Sequence, residues 1–527
     1  MNRLIAFINP GIIINLSFIF IRSVISWNKT ETPGMMKLLY KISIIVLSFL
    51  LISVNACQST KDESRKYNVL MICVDDLRPE LGSYGNDIIH SPNINQLANE
   101  GLVFENHFVQ SAACGPSRSM LLNSKITRKW DSWRRFRNME APPEKPVALP
   151  HLFKMNGYHT VAIGKISHEP GGVMDKGQTI PQIPFSWDTT YTKTGQWGTP
   201  WKAFFAFADG GFHNKFIFED SEPRIPYEAG IVDDTGYPDG LNAREAVRQL
   251  QVLSEKEQPF FLAVGFYKPH LPFNAPKKYW ELYEEGEIPP ADNNYPPKNL
   301  NNPYSVHNSY EVTTHYHWQA GPGNISPEEA NNLKHAYYAC VSYIDAQIGL
   351  ILKELNGSGL SENTIVVLWS DHGWHLGEHD MFGKQTNFSI ATRSPLIFKV
   401  PDHTKAGTRA AGLVETMDIY PTLAELCGLE TPSDLEGESF YPVLKNPGRN
   451  GKPYARSFFK RDTVMGKTIV SDRYRVVRWR TENDSTVALE LYDHKSDPGE
   501  NRNIAYEYPK LTDSLLNILD KAYFADL

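Results

Sequence analysis

The chain has 527 residues, 41% of them hydrophobic and 21% charged, a globular balance with room for a large core and more than one domain. A net charge of −7 excludes a general polyanion binder such as a nucleic-acid protein, so an anionic ligand would need a local cationic pocket. Aromatics reach 12%, many in Pro-rich stretches, which suits loop anchors or a carbohydrate-facing surface.

The first 34 residues read as an extension upstream of the true start, since Leu4 to Trp27 is apolar but broken by Pro10-Gly11 and Asn15. Residues 35–56 then carry Lys37 and Lys41, an apolar run from Ile42 to Val54, and Asn55-Ala56 before Cys57. That order matches a bacterial lipoprotein signal, with a lipid on Cys57 and residues 57–66 as a tether; a plain signal peptide or membrane anchor is the alternative. The reading implies an exported protein, periplasmic or on the outer membrane or cell surface, touching a membrane only through that lipid. Of the five cysteines, Cys73, Cys340 and Cys427 lie in apolar runs and are expected as buried thiols. No cysteine spacing resembles a zinc site.

From Asn68 onward, short apolar runs alternate with helical periodicity, which implies a large, mostly parallel sheet flanked by helices. Val69 to Val74 reads as a buried strand, Asn93 to Glu100 opens a helix, Leu149 to Met155 is helical, and Thr160 to Ile163 is the next strand. Leu241 to Leu253 is an amphipathic helix that feeds a strand at Phe260 to Phe266. Ser326-Pro327-Glu328-Glu329 is a capping box starting a helix that carries Leu333, Tyr337, Val341, Ile344, Ile348 and Ile351, with a stop at Asn356-Gly357. Thr364 to Trp369 is a further central strand. Residues 169–240 and 281–323 are rich in Pro, Gly, Asn and aromatics without period, and are expected as ordered loops around a site. Residues 67–430 are therefore expected as a catalytic domain and 431–527 as a smaller C-terminal α+β subdomain. In the latter, antiparallel strands are expected near 457–459, 467–470, 474–479 and 488–492, and a helix over 509–523.

The reactive residue types follow predicted strands one after another, where open α/β sheets place their ligand crevice. Asp75-Asp76 follow the first strand, Lys165 and His168 the second, Lys268-Pro269-His270 the third, and Asp371-His372 the fourth. Paired carboxylates behind a buried strand need a neutralising partner. Asp75, Asp76 and Asp371, with His372 beside them, offer hard donors for Ca²⁺, with Mg²⁺ the second choice.

Cys114-Gly115-Pro116-Ser117-Arg118 is the C-x-P-S-R motif of type I sulfatases. A helix starting near Pro116 would aim a positive N-terminus at a tetrahedral anion, and Arg118 would add a charged fork. The resemblance extends over residues 68–505 and is strongest toward the iduronate-2-sulfatase branch, through Val74-Asp75-Asp76-Leu77-Arg78-Pro79, Ser91-Pro92-Asn93-Ile94, Lys268-Pro269-His270 and Ser370-Asp371-His372-Gly373-Trp374. One departure stands out. Where the family continues with leucine, threonine, glycine and arginine, this chain has Leu122-Asn123-Ser124-Lys125.

The resemblance implies the alkaline-phosphatase-like sulfatase fold and Cys114 oxidised to 3-oxoalanine (Cα-formylglycine) by a maturation enzyme. It implies a metal site of Asp75, Asp76, Cys114, Asp371 and His372. Hydrated formylglycine would attack sulfur, His168 would take the proton that frees sulfate, His270 or Lys384 would protonate the leaving oxygen, and Arg118, Lys165 and Lys384 would neutralise the transferring group. His375 and His379 are expected to be structural. The substrate implied is a sulfated oligo- or polysaccharide, either a 2-O-sulfated uronic acid attacked in exo fashion or an algal polysaccharide such as ulvan. The competing readings are a phosphonate or phosphate-ester hydrolase of the same superfamily and an inactive glycan-binding surface lipoprotein.

Overall fold

The first strand, β1 (Asn68–Val74), is buried at every position, because its alternating side chains enter two different cores. Leu70, Ile72 and Val74 pack into one apolar cluster, and Val69, Met71 and Cys73 into the other. A continuous apolar run of this kind is what a strand covered on both faces requires. The computed structural model describes residues 66–524 except 128–131, 140–143, 176–177, 285, 319, 322 and 403–404. The upstream extension, lipoprotein signal, Cys57 and tether lie outside the described residues, apart from Lys66.

The large sheet also contains β2 (Leu102–Phe104), β3 (His159–Gly164), β4 (Thr189–Tyr191), β5 (Phe260–Phe266), β6 (Thr364–Ser370), β7 (Leu396–Lys399) and β8 (Thr408–Ala410). Its order is β8-β2-β7-β6-β1-β5-β3-β4, and β7 alone among these runs against the rest. On one face lie α1 (Pro92–Glu100), α4 (Pro238–Ser254) and α5 (Pro327–Gly357); on the other lie α2 (Cys114–Asn123), α3 (Leu149–Met155) and α6 (Ile419–Leu426). The capping box at Ser326 forms as read, with Glu329 bonding back to the Ser326 N–H. Cys73, Cys340 and Cys427 are free, buried thiols.

A four-stranded antiparallel sheet follows: β9 (Ala455–Arg461), β10 (Val464–Val470), β11 (Tyr474–Thr481) and β12 (Thr486–Asp493), in that order. Its strands are longer than the sequence runs suggested, because backbone pairing continues through polar positions that carry no hydrophobic signal. Helix α7 (Pro509–Phe524) covers it, packing Leu516, Leu519 and Ala522 on Ile469, Val476 and Leu491. Phe440, Val443 and Leu444 belong to the core around β1, and the antiparallel strands begin at Ala455. The small sheet braces the larger one through Phe458 N–H to the Gln110 carbonyl (2.7 Å), Ser457 Oγ to the Val109 carbonyl (2.6 Å) and Arg461 Nη2 to the Gln385 carbonyl (2.8 Å). No helix among the described residues is long and apolar enough to cross a membrane.

Candidate active site

Four contiguous strands, β6-β1-β5-β3, end flush at the carboxyl edge of the sheet, with Val74 level with Ser370 and Phe266, and Gly164 with Gly265. That register brings the residues that follow these strands into one crevice. At the β3 edge it depends on two facing glycines. A Cβ on Gly164 (φ 72°) would lie 2.1 Å from the Gly265 carbonyl, and one on Gly265 would lie 2.0 Å from the Lys165 carbonyl.

Asp75, Asp76, Cys114, Asp371 and His372 converge there, all buried, with ligand atoms within 4.8 Å of one another. Asp76 is held in the left-handed region (φ 60°), an uncommon state for a residue other than glycine. Its N–H donates to Asp371 Oδ1 (3.0 Å), and its carbonyl accepts from Tyr337 OH (2.7 Å). Cys114 is the first residue of α2, two positions earlier than the Pro116 start read from the sequence, and no side chain caps that helix. Its Sγ lies 3.3 Å from His372 Nε2, 3.4 Å from Lys384 Nζ and 3.8 Å from Asp76 Oδ1. Gly115 is needed beside it, because a Cβ would come within 2.5 Å of the Trp133 ring. The opposite side of the story is His168, half-buried and edge-on to the same indole at 5.4 Å.

The cations are distributed unequally over the carboxylates. Arg118, fully buried, donates from Nε to Asp371 Oδ2 (2.8 Å), from Nη2 to Asp75 Oδ1 (3.2 Å) and from Nη1 to the Lys165 carbonyl (2.6 Å). Most of its donors are thus spent on the carboxylates and the β3 edge, so it braces the cluster more than the open fork expected from the sequence. Lys165 Nζ pairs with Asp75, and Lys384 Nζ spans both oxygens of Asp76 (2.8 and 2.9 Å). Burial drives the Asp75 carboxyl upward, but Lys165 and Arg118 outweigh it and hold the group well below its usual range. Burial, reinforced by Asp75 and Asp371, holds Asp76 well above its usual range despite Lys384.

Three carboxylates and three cations share this dry pocket, and the crowding of Asp76 by its neighbours is what a divalent cation would relieve; the donor types fit too. Three carboxylates offer hard oxygens. His372 bonds through Nδ1 to the Gly373 carbonyl (2.9 Å), which leaves the Nε2 lone pair facing the cluster, and burial favours the neutral ring.

His270 bonds through Nδ1 to the Leu271 carbonyl (2.7 Å) and turns Nε2 toward Asp76 Oδ2 at 4.0 Å. Lys268 is spent on the carbonyls of His270 and Pro272 (3.0 and 2.6 Å). His375 and His379 bond within the fold, to the Glu378 and Gly499 carbonyls (3.1 and 2.9 Å). Ser124 sits at the helix C-cap, where the family has glycine, with φ 52°; its hydroxyl donates to the Met417 carbonyl at 2.7 Å, which offsets some of the strain. Sequence reading missed Trp133, Asp239, Glu311 and Tyr337. Asp239 accepts from the N–H groups of Tyr267 and Lys268 (2.8 and 3.0 Å), fixing the turn that carries His270. Glu311 lies 3.8 Å from Lys384 Nζ.

The loop between His372 and Lys384 is pinned by Glu378, which takes two hydrogen bonds from Arg78 (3.2 and 3.0 Å) and one from the Leu376 N–H (2.6 Å). Burial opposes its charge, yet Arg78 prevails and brings the carboxyl down to about 2. Because the folded value lies below the unfolded one, this stabilisation is complete above about pH 5 and disappears as pH falls through 4 toward 2. Comparing unfolding of the unchanged protein with Glu378→Gln should show a gap at pH 7 that shrinks by roughly 2–3 kcal/mol near pH 2.5. A gap that stays constant with pH would contradict the assignment.

Residues 67–429 match the family model described as Sulfatase, and residues 377–522 match that of N-sulphoglucosamine sulphohydrolase, C-terminal. Iduronate 2-sulfatase of Homo sapiens is 32% identical to this chain over 449 residues, 77% of each protein. A sulfatase of Formosa agariphila is 31% identical over 511 residues, covering 90% of this chain and 91% of that protein. Among solved structures, the phosphonate monoester hydrolase of Agrobacterium radiobacter superposes with a TM-score of 0.71 at 22% identity, covering 87% of this chain and 96% of that chain, a likeness of fold.

Proposed function

The chain belongs to the sulfatase family and is a sulfuric ester hydrolase of glycan sulfates, and from that premise we propose that it works through Cys114 matured to Cα-formylglycine beside a Ca²⁺ ion. The observation that carries this reading is the convergence of Cys114 with Asp75, Asp76, Asp371 and His372, ligand atoms within 4.8 Å of one another. Burial, with Asp75 next, pushes Cys114 well above its ordinary range, so the unmodified residue stays a protonated thiol and a poor nucleophile. Maturation supplies a hydrated aldehyde whose hydroxyl can attack sulfur, and Ca²⁺ among Asp75, Asp76, Asp371 and His372 supplies Lewis-acid polarisation.

The remaining work falls to the chain's own groups. Lys165 and Lys384 flank Cys114 and offset charge on the transferring sulfate, and Arg118 keeps Asp75 and Asp371 in place. The leaving sugar oxygen takes its proton from His270 or Lys384: Asp76 keeps Lys384 Nζ charged, whereas burial keeps His270 neutral with its Nδ1–H on the Leu271 carbonyl, so its Nε2 must first pick up a proton. His168, edge-on to the Trp133 ring that packs against Gly115, receives the proton whose removal frees sulfate. We assign the substrate to an exo-attacked terminal sugar, a 2-O-sulfated uronate or an ulvan unit. We further assign the chain to the bacterial periplasm or cell surface as a lipoprotein bearing lipid on Cys57.

The test is sulfate release by enzyme co-expressed with a formylglycine-generating partner, across 2-O-sulfated uronate disaccharides, other glycosaminoglycan fragments, ulvan and carrageenan oligosaccharides, an aryl sulfate and a phosphonate monoester. Release from a glycan, abolished by a chelator and restored by Ca²⁺, is the expected result. Hydrolysis of the phosphonate ester alone, with formylglycine confirmed by mass spectrometry, would replace this reading.

A further inference from the structure

Beyond Glu311, on the Lys384 side of the site, stands an aromatic side chain that the core does not use. Phe216 is 77% exposed, yet its backbone is fixed. The N–H groups of Phe216 and Ile217 both donate to Asn214 Oδ1 (3.0 and 3.2 Å), and the Lys215 N–H donates to the His315 carbonyl (2.9 Å). The phenyl ring stacks on the His315 imidazole, with centroids 5.4 Å apart and planes 17° apart. His315 ends the short helix Tyr310–His315, one turn beyond Glu311, and Glu311 lies 3.8 Å from Lys384 Nζ. A line of contacts therefore runs from the sulfate pocket outward: Lys384, Glu311, His315, Phe216.

An exposed ring held rigidly and backed on one face loses little entropy when its open face is covered, and burying that face is favourable at about 25 cal/mol per Å². The ring-face C–H groups of a pyranose are an apolar surface of matching shape, and its rim of hydroxyls stays in water. Phe216 lies one helical turn, about 5.4 Å, and a ring stack beyond Glu311, too far out for the sugar whose sulfate reaches Lys384. We propose that Phe216, backed by His315, is a binding subsite for the sugar residue attached to the sulfated one, so that the enzyme prefers oligosaccharides to sulfated monosaccharides. This rests on the glycan-sulfatase reading above.

The experiment uses the matured full chain and a ladder of mono-, di- and tetrasaccharides sulfated at the same terminal position, from whichever glycan of the panel is turned over fastest. The unchanged enzyme should favour the di- and tetrasaccharide, and Phe216→Ala should reduce that preference about tenfold, mainly through KM. Phe216→Tyr should restore it, and Ile231→Ala, at a still more exposed apolar residue outside the line of contacts, should leave it as it was. The proposal is overturned if the unchanged enzyme shows no length preference, if Phe216→Ala keeps it, or if the monosaccharide loses as much as the longer rungs. Absence of sulfate release from every rung would instead count against the sulfatase reading. Calorimetric binding of that ladder's tetrasaccharide to Cys114→Ala, with and without Phe216→Ala, then decides the subsite: weaker binding with Phe216→Ala supports it, and equal binding overturns it.

Discussion

Cys114→Ala should lower sulfate release by at least about 10³-fold while leaving the fold nearly untouched. The side chain is small, and its Sγ makes only long polar contacts with His372, Lys384 and Asp76, so truncation removes the reacting atom and little packing. The same logic extends to chain produced without a maturation enzyme. Its thiol stays protonated in the buried pocket, so it should fold normally, bind Ca²⁺ and release no sulfate. Initial rates and thermal midpoints of the alanine variant, the unmatured chain and the matured chain decide the matter. An alanine variant within tenfold of the matured enzyme would sink the covalent reading; a variant that is inactive because it is unfolded would show a lowered midpoint and prove nothing about Cys114.

Much of this site could be read before the fold was known, for a physical reason. A strand buried on both faces needs an unbroken apolar run, so Val69 to Val74, Phe260 to Phe266 and Thr364 to Trp369 stood out, and the polar residues that ended each run were displaced to the same crevice. The short strands β2, β4, β7 and β8 left no such signal. Each has only three or four residues, and β4 lies inside a segment that reads as irregular loop. Lys384 was legible only by family likeness. It follows the two apolar residues Phe382-Gly383, and the turn pinned by Glu378 and Arg78 is what swings it onto Asp76. Trp133, Asp239 and Tyr337 were not legible, because each acts across a long stretch of sequence. Tyr337 shows the limit well: helical spacing marks it as core, which it is, but nothing local says that its hydroxyl holds the Asp76 carbonyl.

Asp75 and Asp76 are neighbours in sequence, both fully buried, and both proposed metal ligands, yet their replacement by asparagine should affect the metal-free protein to very different degrees. Asp75 stands between two buried cations, Lys165 and Arg118. Asp75→Asn leaves those cations short of a counter-charge in a dry pocket, a loss of about 3–5 kcal/mol by analogy with other broken buried pairs. Asp76 is placed differently: among the described residues Lys384 is its one close cation besides the imidazoles, and two carboxylates press on it. Asp76→Asn takes a counter-charge from the buried Lys384, but it also relieves that repulsion, and asparagine tolerates the left-handed backbone at this position better than most residues, so its cost should be the smaller. In the presence of a chelator, Asp75→Asn should therefore melt well below the unchanged protein, and Asp76→Asn clearly above Asp75→Asn. Added Ca²⁺ should raise the midpoint of the unchanged protein and do much less for either variant, because each has lost a ligand. Both should also lose at least about 10³-fold in sulfate release, since the Lewis acid and its neighbours act as a unit. Equal melting of the two variants in chelator would mean that the carboxylates are not crowded as the geometry indicates, and the case for a resident cation would lose its physical basis.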